Sequence, residues 1–382
     1  MRVALALLLC CACTTPSRPL PPGEDELEIH RRALVVDTHS DVTEAVRYEQ
    51  YDLGVAHQDH HQDIPRMREG GLSAEFLSIF VQPGRFRAEQ FFDEAQTQID
   101  AVRKAVAAHP AELALARTAR EVRENARRGL ISILLGVEGA HMLLPGTEEE
   151  QLDHLRVFAF QGVRYLTLTW ATSNPAGGSS GDDGETQGLT GHGRRVIAEM
   201  EKLGVMVDLA HASDPLFWDA LRAAKRPVLV SHSSSRSLAN HPRNLTDAQL
   251  KAVARNGGAA CVNFSRGFLD DAFRKAAIPV ANRTRDLRTS ERRKAFQAAG
   301  LPDVPVSRLI DHIEHMVAVA GSDHVCLGSD FDGVPMLPVG LEDVSKLPVI
   351  TSLLLRRGMP RLDVEKILGL NVLRVLEANE PH

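Results

Sequence analysis

The stretch VMVDLAH at residues 205–211 places an apolar run directly before an acidic residue and, three positions later, a histidine. Nearly continuous hydrophobicity indicates a strand that is buried on both faces, as in a parallel sheet. Such runs recur along the chain, at residues 33–36, 74–81, 131–137, 163–169, 205–209, 227–230, 259–264 and 325–328. The sequence therefore predicts eight buried strands.

Amphipathic stretches long enough for crossover helices separate these runs. They include residues 88–108, 151–161, 193–203, 215–224, 247–256 and 306–320. Eight buried strands that alternate with helices are typical of an α/β fold, the (β/α)8 TIM barrel. We predict a leader and tether over residues 1–23 and a single barrel domain over residues 24–382.

Composition narrows the class of protein. The chain has 382 residues, of which 43% are hydrophobic and 25% charged, as is ordinary for a globular protein. Its formal net charge is −6, whereas nucleic-acid-binding proteins usually carry a basic patch, so we expect no nucleic-acid partner. The chain also has 16 histidines, and neutral imidazole is the commonest metal ligand, so their positions matter.

The first residues look like a targeting segment rather than part of the fold. An apolar run at residues 3–9 is too short to span a bilayer as a helix. Cys10, Cys11 and Cys13 follow it, and then a tether rich in Thr, Pro and Ser, as in a bacterial lipoprotein signal. We expect export to the bacterial cell envelope, with a lipid anchor at Cys13 as the membrane contact. An ordinary cleaved secretory signal and a misassigned start codon are the alternatives.

The two remaining cysteines, Cys261 and Cys326, lie in apolar strand-like runs. A barrel of this size does not need the covalent links that small exported proteins use. We therefore predict buried, unpaired thiols at both positions.

Three connections are longer than a barrel needs, at residues 42–71, 171–192 and 265–305. All three follow strands, so they should lie at the C-terminal face, where barrel active sites are found. The third carries a basic cluster, which consists of Arg283, Arg285, Arg288, Arg292, Arg293 and Lys294. We expect this cluster to be a solvated helix face, with attraction of anionic substrates as the alternative.

Five strand ends carry histidines and acids. The segments are DTHSD at residues 37–41, EGAH at 138–141, DLAH at 208–211, SHS at 231–233 and SDFDG at 329–333. The carboxyl ends of barrel strands meet at one face, so these side chains should converge. Asp37 and Asp208 are expected to support the site by pairing with nearby backbone or ligand histidines.

The spacing of these side chains predicts a two-metal site. Alternate residues of a strand point the same way, so His39 and Asp41 can address one metal together. Glu138 could bridge two metals, while His211 and His232 complete the second. Two neighbouring cations would acidify a bridging water and polarise a carbonyl, which is hydrolase chemistry. Nitrogen and carboxylate ligands suit Zn²⁺, with Mn²⁺ and Co²⁺ as alternatives.

Taken together, these segments resemble a known family, the membrane (renal-type) dipeptidases, peptidase family M19. The similarity extends over nearly the whole chain from about Leu34 onward. The motifs that carry it are DTHSD at 37–41, GVEGAH at 136–141, VDLAH at 207–211, VSHSS at 230–234, RN at 243–244 and GSDFDGV at 328–334.

The resemblance implies two Zn²⁺ per chain in a binuclear site. His39 and Asp41 match the ligands of one zinc, and Glu138 matches the bridging residue. His211 and His232 match the ligands of the other zinc.

The resemblance also implies the substrate and its contacts. Asp330 matches the aspartate that handles the proton during amide cleavage, so Asp330 and Glu138 are the expected catalytic residues. Arg243 matches the residue that holds the C-terminal carboxylate of a dipeptide, a task that suits a guanidinium fork, and Asn244 stands beside it in the motif. Tolerance of a D-residue on the C-terminal side and a homodimer are further implications.

One position departs from the family's pattern. Residues 165–170 are YLTLTW, where active members commonly have a histidine in place of Trp170. That histidine is understood to contact the scissile group, whereas an indole has a single N–H donor and cannot carry a positive charge. Trp170 is therefore expected to contact substrate. The alternatives are that it donates in place of the histidine, that another residue from the long loops compensates, or that the substrate preference has shifted.

Three functions fit these residues. The leading hypothesis is a catalytic zinc dipeptidase. The alternative is a metal-binding dipeptidase-like protein of weak or altered activity, for which Trp170 is the only sequence support. A third is another barrel metallohydrolase, such as a deaminase or a phosphotriesterase-like enzyme. The latter pattern commonly uses a modified lysine on strand 4, and no lysine stands there.

Overall fold

In the part of the chain that the structure describes, nine parallel β-strands form one sheet, which closes on itself as a barrel. The computed structural model describes residues 18–285 and 287–381. The strands are β1 (Val35–Ser40), β2 (Leu72–Ile79), β3 (Leu113–Leu115), β4 (Ile131–Glu138), β5 (Val163–Thr167), β6 (Met206–Asp208), β7 (Leu229–Val230), β8 (Ala259–Val262) and β9 (Val325–Leu327).

Eight of these strands make the barrel, which confirms the predicted (β/α)8 TIM fold. The order around it is β1, β2, β4, β5, β6, β7, β8 and β9, and β9 pairs with β1 to close the ring. The strand that was not predicted, β3, lies outside the ring and pairs with β4 alone. Three residues are too few for a hydrophobic period to show, so the sequence carried no signal for it.

Helices surround the barrel, and two predicted spans, residues 247–256 and 306–320, coincide with observed helices. The helices are α1 (Glu24–Arg32), α2 (Val42–Tyr48), α3 (Ile64–Glu69), α4 (Phe91–Ala108), α5 (Ala119–Arg127), α6 (Glu148–Phe160), α7 (Gly191–Leu203), α8 (Asp214–Ala223), α9 (Asp247–Asn256), α10 (Arg266–Leu269), α11 (Asp271–Arg283), α12 (Thr289–Gln297), α13 (Val306–Ala320), α14 (Leu347–Arg356), α15 (Arg361–Glu365) and α16 (Asn371–Asn379).

The helix α9 shows how local sequence fixes these boundaries. Thr246 precedes it and accepts a hydrogen bond from the backbone N–H of Gln249, whose side chain in turn accepts from the backbone of Thr246. This capping box satisfies donors that the first turn leaves free. The helix ends at Gly257, whose φ of 80° is left-handed backbone that favours glycine.

Alternate strand residues point into the barrel and fill it. Tyr165 on β5 is fully buried there, and its ring lies against Gly136 on β4, where any β-carbon would overlap it. The opposite end of the barrel is closed by a π-helical turn at Lys366–Leu370, in which Gly369 packs against the carbonyl of Leu34. The core therefore holds the strand ends in fixed positions.

A disulfide joins Cys261 and Cys326, so the prediction of unpaired thiols was wrong. These cysteines lie directly opposite each other on the neighbouring strands β8 and β9, with their Cα atoms 4.1 Å apart. Both side chains belong to the packed interior of the barrel. The sequence separation of 65 residues hid this pairing, which follows only from the strand register.

The predicted leader lies mostly outside the described residues, and Cys10, Cys11 and Cys13 are among those not described. The tether is described from Arg18, which pairs with Glu342 at 3.2 Å. Within the described residues, every helix is too short or too polar to cross a bilayer.

Candidate metal centre

The C-terminal edge of the barrel gathers the predicted metal-binding side chains. His39 lies on β1 and Asp41 directly follows that strand, while Glu138 is the last residue of β4. His211 and His232 come three and two residues after β6 and β7. Because all these strands are parallel and end at one face, residues far apart in sequence become neighbours.

Glu138 stands at the centre of three imidazoles. Its Oε1 is 2.9 Å from Nε2 of His211, 3.4 Å from Nε2 of His232 and 3.6 Å from Nε2 of His39. The Nε2 atoms of His211 and His232 are themselves 3.1 Å apart. One carboxylate therefore faces the same ring nitrogen of each of the three histidines.

A second group shares His39. The ligand atoms of His39, Asp41 and Asp330 all lie within 4.8 Å of one another, as do those of His39, Glu138 and His232. Gly333 makes the first group possible, because a β-carbon there would overlap carboxylate oxygens of both Asp41 and Asp330. The structure thus brings all five predicted ligands together and adds Asp330 beside them.

These residues fit a cation. Nε2 of His39 is buried without a hydrogen-bond partner among the described residues, although two carboxylates face it. Burying polar nitrogens and carboxylates unpaired is costly, and a metal ion would satisfy them together. Imidazole nitrogens and carboxylate oxygens are the donors that zinc accepts.

The charges of the cluster shift the pKa of each member. Burial, with the carboxylates of Asp41 and Asp330, raises the pKa of Glu138 to about 8. Burial lowers the pKa of His39, but the carboxylates around it outweigh burial and raise the value to about 10. Burial and nearby cations lower the pKa of His211 and that of His232 well below the ordinary range. Without a cation, the pKa of both His39 and Glu138 is therefore shifted towards the protonated form.

Hydrogen bonds behind the cluster fix the ring of His232. Its Nδ1 lies 2.8 Å from the hydroxyl of Ser231, which donates to Asp208 at 2.6 Å. Thr167 donates to the same carboxylate oxygen at 2.6 Å. Since the Ser231 proton is used on Asp208, Nδ1 of His232 must be the donor to Ser231, which leaves Nε2 as a lone pair. Asp208 therefore has the supporting role that the sequence predicted.

Asp37 and Tyr165 support the other side of the site. Asp37 accepts hydrogen bonds from the backbone N–H of His39 at 3.3 Å and of Ser329 at 2.8 Å, which ties β1 to the end of β9. The hydroxyl of Tyr165 lies 2.9 Å from Nδ1 of His39. The sequence did not single out Tyr165, Ser231 or Thr167 as supports, although Ser231 directly precedes a predicted ligand.

The backbone is strained where it turns side chains into the site. His211 and Asp330 both have a φ of 63°, in the left-handed region that residues other than glycine rarely adopt. Such strain costs about 1 kcal/mol or more per residue and concentrates at functional sites. These two residues therefore hold their positions at the expense of local stability.

Asp330 has one oxygen held and one facing the cluster. Asn263, just beyond β8, donates to its Oδ2 at 2.8 Å. Burial and the carboxylate of Asp41 raise the pKa of Asp330 to about 6, although His39 and Asn263 oppose the rise. Asn263 is a further residue that the sequence did not indicate.

Arg243 and Asn244 are neighbours with different surroundings. The guanidinium of Arg243 lines the cavity above the cluster, and its Nε and Nη1 are buried without partners among the described residues. Asn244 lies away from the cavity, where its amide donates to the carbonyls of Ala239 and Phe268 and accepts from the N–H of Ser234. In the structure these hydrogen bonds of Asn244 shape the loop that carries Arg243.

Trp170 lines the same cavity. Its ring centroid lies 4.6 Å from that of Phe80 and 6.4 Å from that of His211. The two aromatic side chains form an apolar wall beside the metal-binding residues. The cavity has a volume of about 490 Å³ and is also lined by Glu138, Arg243 and Asp330.

The basic cluster differs from the expected solvated helix face. Arg293 is buried and donates to Asp332 at 2.9 Å, while Arg292 is half-buried and lines the cavity with Arg285. The reason is that α12 packs against the connection after β1, so one side of the helix faces inward. Arg283, Arg288 and Lys294 are exposed, as predicted for a solvated face.

Comparison with known proteins agrees with this site. The family model described as membrane dipeptidase (peptidase family M19) matches residues 24–381. An uncharacterized dipeptidase of Schizosaccharomyces pombe is 36% identical over 373 residues, which cover 92% of this chain and 82% of that protein. Dipeptidase verJ of Clonostachys rogersoniana is 34% identical over 332 residues, covering 84% and 76%.

A solved structure shows the same fold with a ligand. It is a metallo peptidase from Rhodobacter sphaeroides, liganded with a phosphinate mimic of the dipeptide L-Ala-D-Ala. It has 26% sequence identity and a TM-score of 0.76, covering 91% of this chain and 99% of that one. The resemblance seen in the motifs thus holds over the whole barrel. The chain belongs to the membrane dipeptidase family, peptidase family M19, and is a metallopeptidase that hydrolyses dipeptides.

Proposed function

We propose that this chain is a binuclear zinc dipeptidase that accepts dipeptides, including those with a C-terminal D-residue. The observation that carries the proposal is the position of Glu138. Its carboxylate lies within 3.6 Å of imidazole nitrogens of three histidines, each carried by a different strand end. It shares its cavity with Arg243, two of whose donors have no partner among the described residues. A phosphinate mimic of L-Ala-D-Ala on a relative with this fold supports the stereochemical part.

Substrate binding would be determined by Arg243. Its Nε and Nη1 are buried and have no hydrogen-bond partner among the described residues, while Nη2 donates to the carbonyl of His232 at 3.3 Å. A free carboxylate can accept from both unpaired donors, which offsets the cost of burying the guanidinium. The anchor lies close to the metal-binding residues, so it selects short peptides whose carboxylate is one residue from the amide.

Amide cleavage needs a nucleophile and a proton carrier. When bound, a pair of zinc ions lowers the pKa of water and polarises the scissile carbonyl. Asp330 would accept the proton of the attacking water and return it to the leaving amine. Asn263 holds one oxygen of that carboxylate, so the other stays directed at the cluster.

A second function, a metal-binding protein with weak or altered activity, rests on Trp170. Its indole packs against Phe80 in the cavity wall. Family members commonly carry a histidine at the position of Trp170. Losing one donor to the developing oxyanion costs on the order of a hundredfold in turnover. In the leading proposal Trp170 sets the substrate preference, and in the second it weakens or alters the activity.

One experiment separates the two. The zinc-loaded protein and its Trp170→His variant are screened against L,L- and L,D-dipeptides. A dipeptidase turns over several dipeptides, and the substitution redistributes its preferences. Full zinc occupancy without turnover, together with a broad gain in the variant, would favour the second function.

We also propose export to the bacterial cell envelope, with a lipid anchor at Cys13, and assembly as a homodimer. Export is supported by the leader sequence and by the Cys261–Cys326 disulfide, since disulfides persist in oxidising compartments. The homodimer rests on family membership. Labelling with palmitate tests the lipid anchor, and sedimentation of the full chain tests the homodimer.

A further inference from the structure

The helix α12 presents one arginine to the cavity without using it structurally. Arg292 is half-buried and lines the cavity together with Arg243 and Asp330. Its Nε is buried and has no hydrogen-bond partner within residues 18–285 and 287–381. The guanidinium lies 5.6 Å from the ring of Phe296, a contact that holds the side chain but does not neutralise it.

The neighbours of Arg292 on the helix have the structural role instead. Arg293 donates a hydrogen bond to Asp332 at 2.9 Å. Thr289 donates to Glu44 at 3.2 Å, and Ser290 donates to Glu49 at 3.1 Å. These bonds attach α12 to the connection after β1 and to the end of β9. The position of Arg292 is therefore fixed by other residues of α12, and its charge is not needed to hold the helix in place.

The charge is also partly desolvated. Burial lowers the pKa of Arg292, and the carboxylate of Asp330 opposes this. Glu44 also lines the cavity, but its carboxylate accepts from Arg85 at 2.6 Å as well as from Thr289. A half-buried guanidinium without a carboxylate partner favours an anionic ligand.

We propose that Arg292 selects dipeptides whose second residue has an acidic side chain; this rests on the proposed dipeptidase function. Arg243 follows β7 and binds the main-chain carboxylate, and Arg292 follows the next strand, β8, and binds the side-chain carboxylate of the same residue. The apolar wall of Trp170 and Phe80 comes from the connections after β5 and β2, on other strands of the ring. The two guanidiniums thus bind the two carboxylates of an acidic second residue.

The test compares L-Ala-L-Glu with L-Ala-L-Gln, which have nearly the same shape and differ in charge. For the zinc-loaded protein we expect kcat/KM to be roughly ten- to a hundredfold higher for the Glu substrate, the range of a charge-assisted hydrogen bond. Arg292→Gln should bring the ratio close to one, and Arg292→Lys should keep part of it. Lys294→Gln, an exposed change of equal charge on the same helix, should leave the ratio unchanged.

Other outcomes overturn the inference. A wild-type ratio near one contradicts it, and so does a ratio that Arg292→Gln leaves intact while circular dichroism shows the native fold. A preference for L-Glu-L-Ala over L-Gln-L-Ala that depends on Arg292 would assign the acidic side chain to the first residue, against the proposal. Failure of the proposed function is distinct, because the wild-type protein would then hydrolyse no dipeptide, L-Ala-L-Ala included.

Discussion

The hydroxyl of Tyr165 lies 2.9 Å from Nδ1 of His39, inside the barrel and below the metal-binding cluster. Tyr165 is fully buried, and its ring packs over Gly136. A barrel core residue therefore sets the orientation of a candidate ligand. With Nδ1 engaged by the phenol, Nε2 of His39 is the nitrogen that faces Glu138 and Asp41.

Tyr165→Phe should weaken zinc binding roughly ten- to a hundredfold, because partners behind a metal ligand orient it and tune its basicity. The measurement is zinc affinity by competition with a chelator. Tyr48→Phe is the matched control, since the Tyr48 hydroxyl bonds Glu94 at 2.8 Å, outside the site. Equal zinc affinities in the two variants would show that the Tyr165 contact does not orient His39.

Gly333→Ala should abolish zinc binding and activity while leaving the fold in place. The new β-carbon would overlap oxygens of both Asp41 and Asp330, and these carboxylates could not keep their positions. Gly191→Ala is the control, because a β-carbon at that helix start meets no atom within 4 Å. Zinc content and circular dichroism measure the two effects. A Gly333→Ala protein with normal zinc content would mean that Asp41 and Asp330 are not needed so close together.

Zinc affinity should rise as the pH is raised from about 6 to about 8. Metal ligation needs deprotonated ligands, and in the metal-free protein the pKa of Glu138 is raised to about 8 and that of His39 to about 10. Both shifts favour protonated ligands, so zinc must displace protons to bind, and this penalty shrinks as the pH rises. Chelator competition at several pH values, corrected for protonation of the chelator, measures the slope. A flat profile would contradict the raised pKa values of these two ligands.

The disulfide should be detectable and should stabilise the barrel. Peptide mapping of the oxidised protein is expected to recover the Cys261 and Cys326 peptides as one linked species. Replacing both cysteines by alanine should lower the free energy of unfolding by about 2 to 4 kcal/mol. Recovery of the two peptides unlinked would restore the earlier expectation of free thiols.

The sequence predicted most of the barrel and of the cluster. Buried parallel strands have nearly continuous apolar runs, and the residues after them meet at one face by the geometry of the fold. His39, Asp41, Glu138, His211 and His232 could therefore be placed together from strand ends alone. The helices at residues 247–256 and 306–320 had full amphipathic periods and clear ends.

What the sequence could not give depends on pairing in space. The Cys261–Cys326 bond follows from strand register, which periodicity does not contain. Asn244 shares a motif with Arg243, but only the loop's own hydrogen bonds show that its amide faces away from the cavity. Arg292 and Arg293 look alike in a basic run, and only the packing of α12 separates a cavity residue from an anchoring one.

The most direct test of the binuclear dipeptidase is a zinc titration of the metal-free protein while hydrolysis of L-Ala-L-Ala is followed. We expect no hydrolysis without metal and activity that saturates at two zinc ions per chain. Glu138→Gln, which removes the central carboxylate charge, should lose tight zinc binding and turnover together. Hydrolysis without metal, saturation at one ion, or full zinc binding with no hydrolysis of any dipeptide would contradict the proposal of a binuclear dipeptidase.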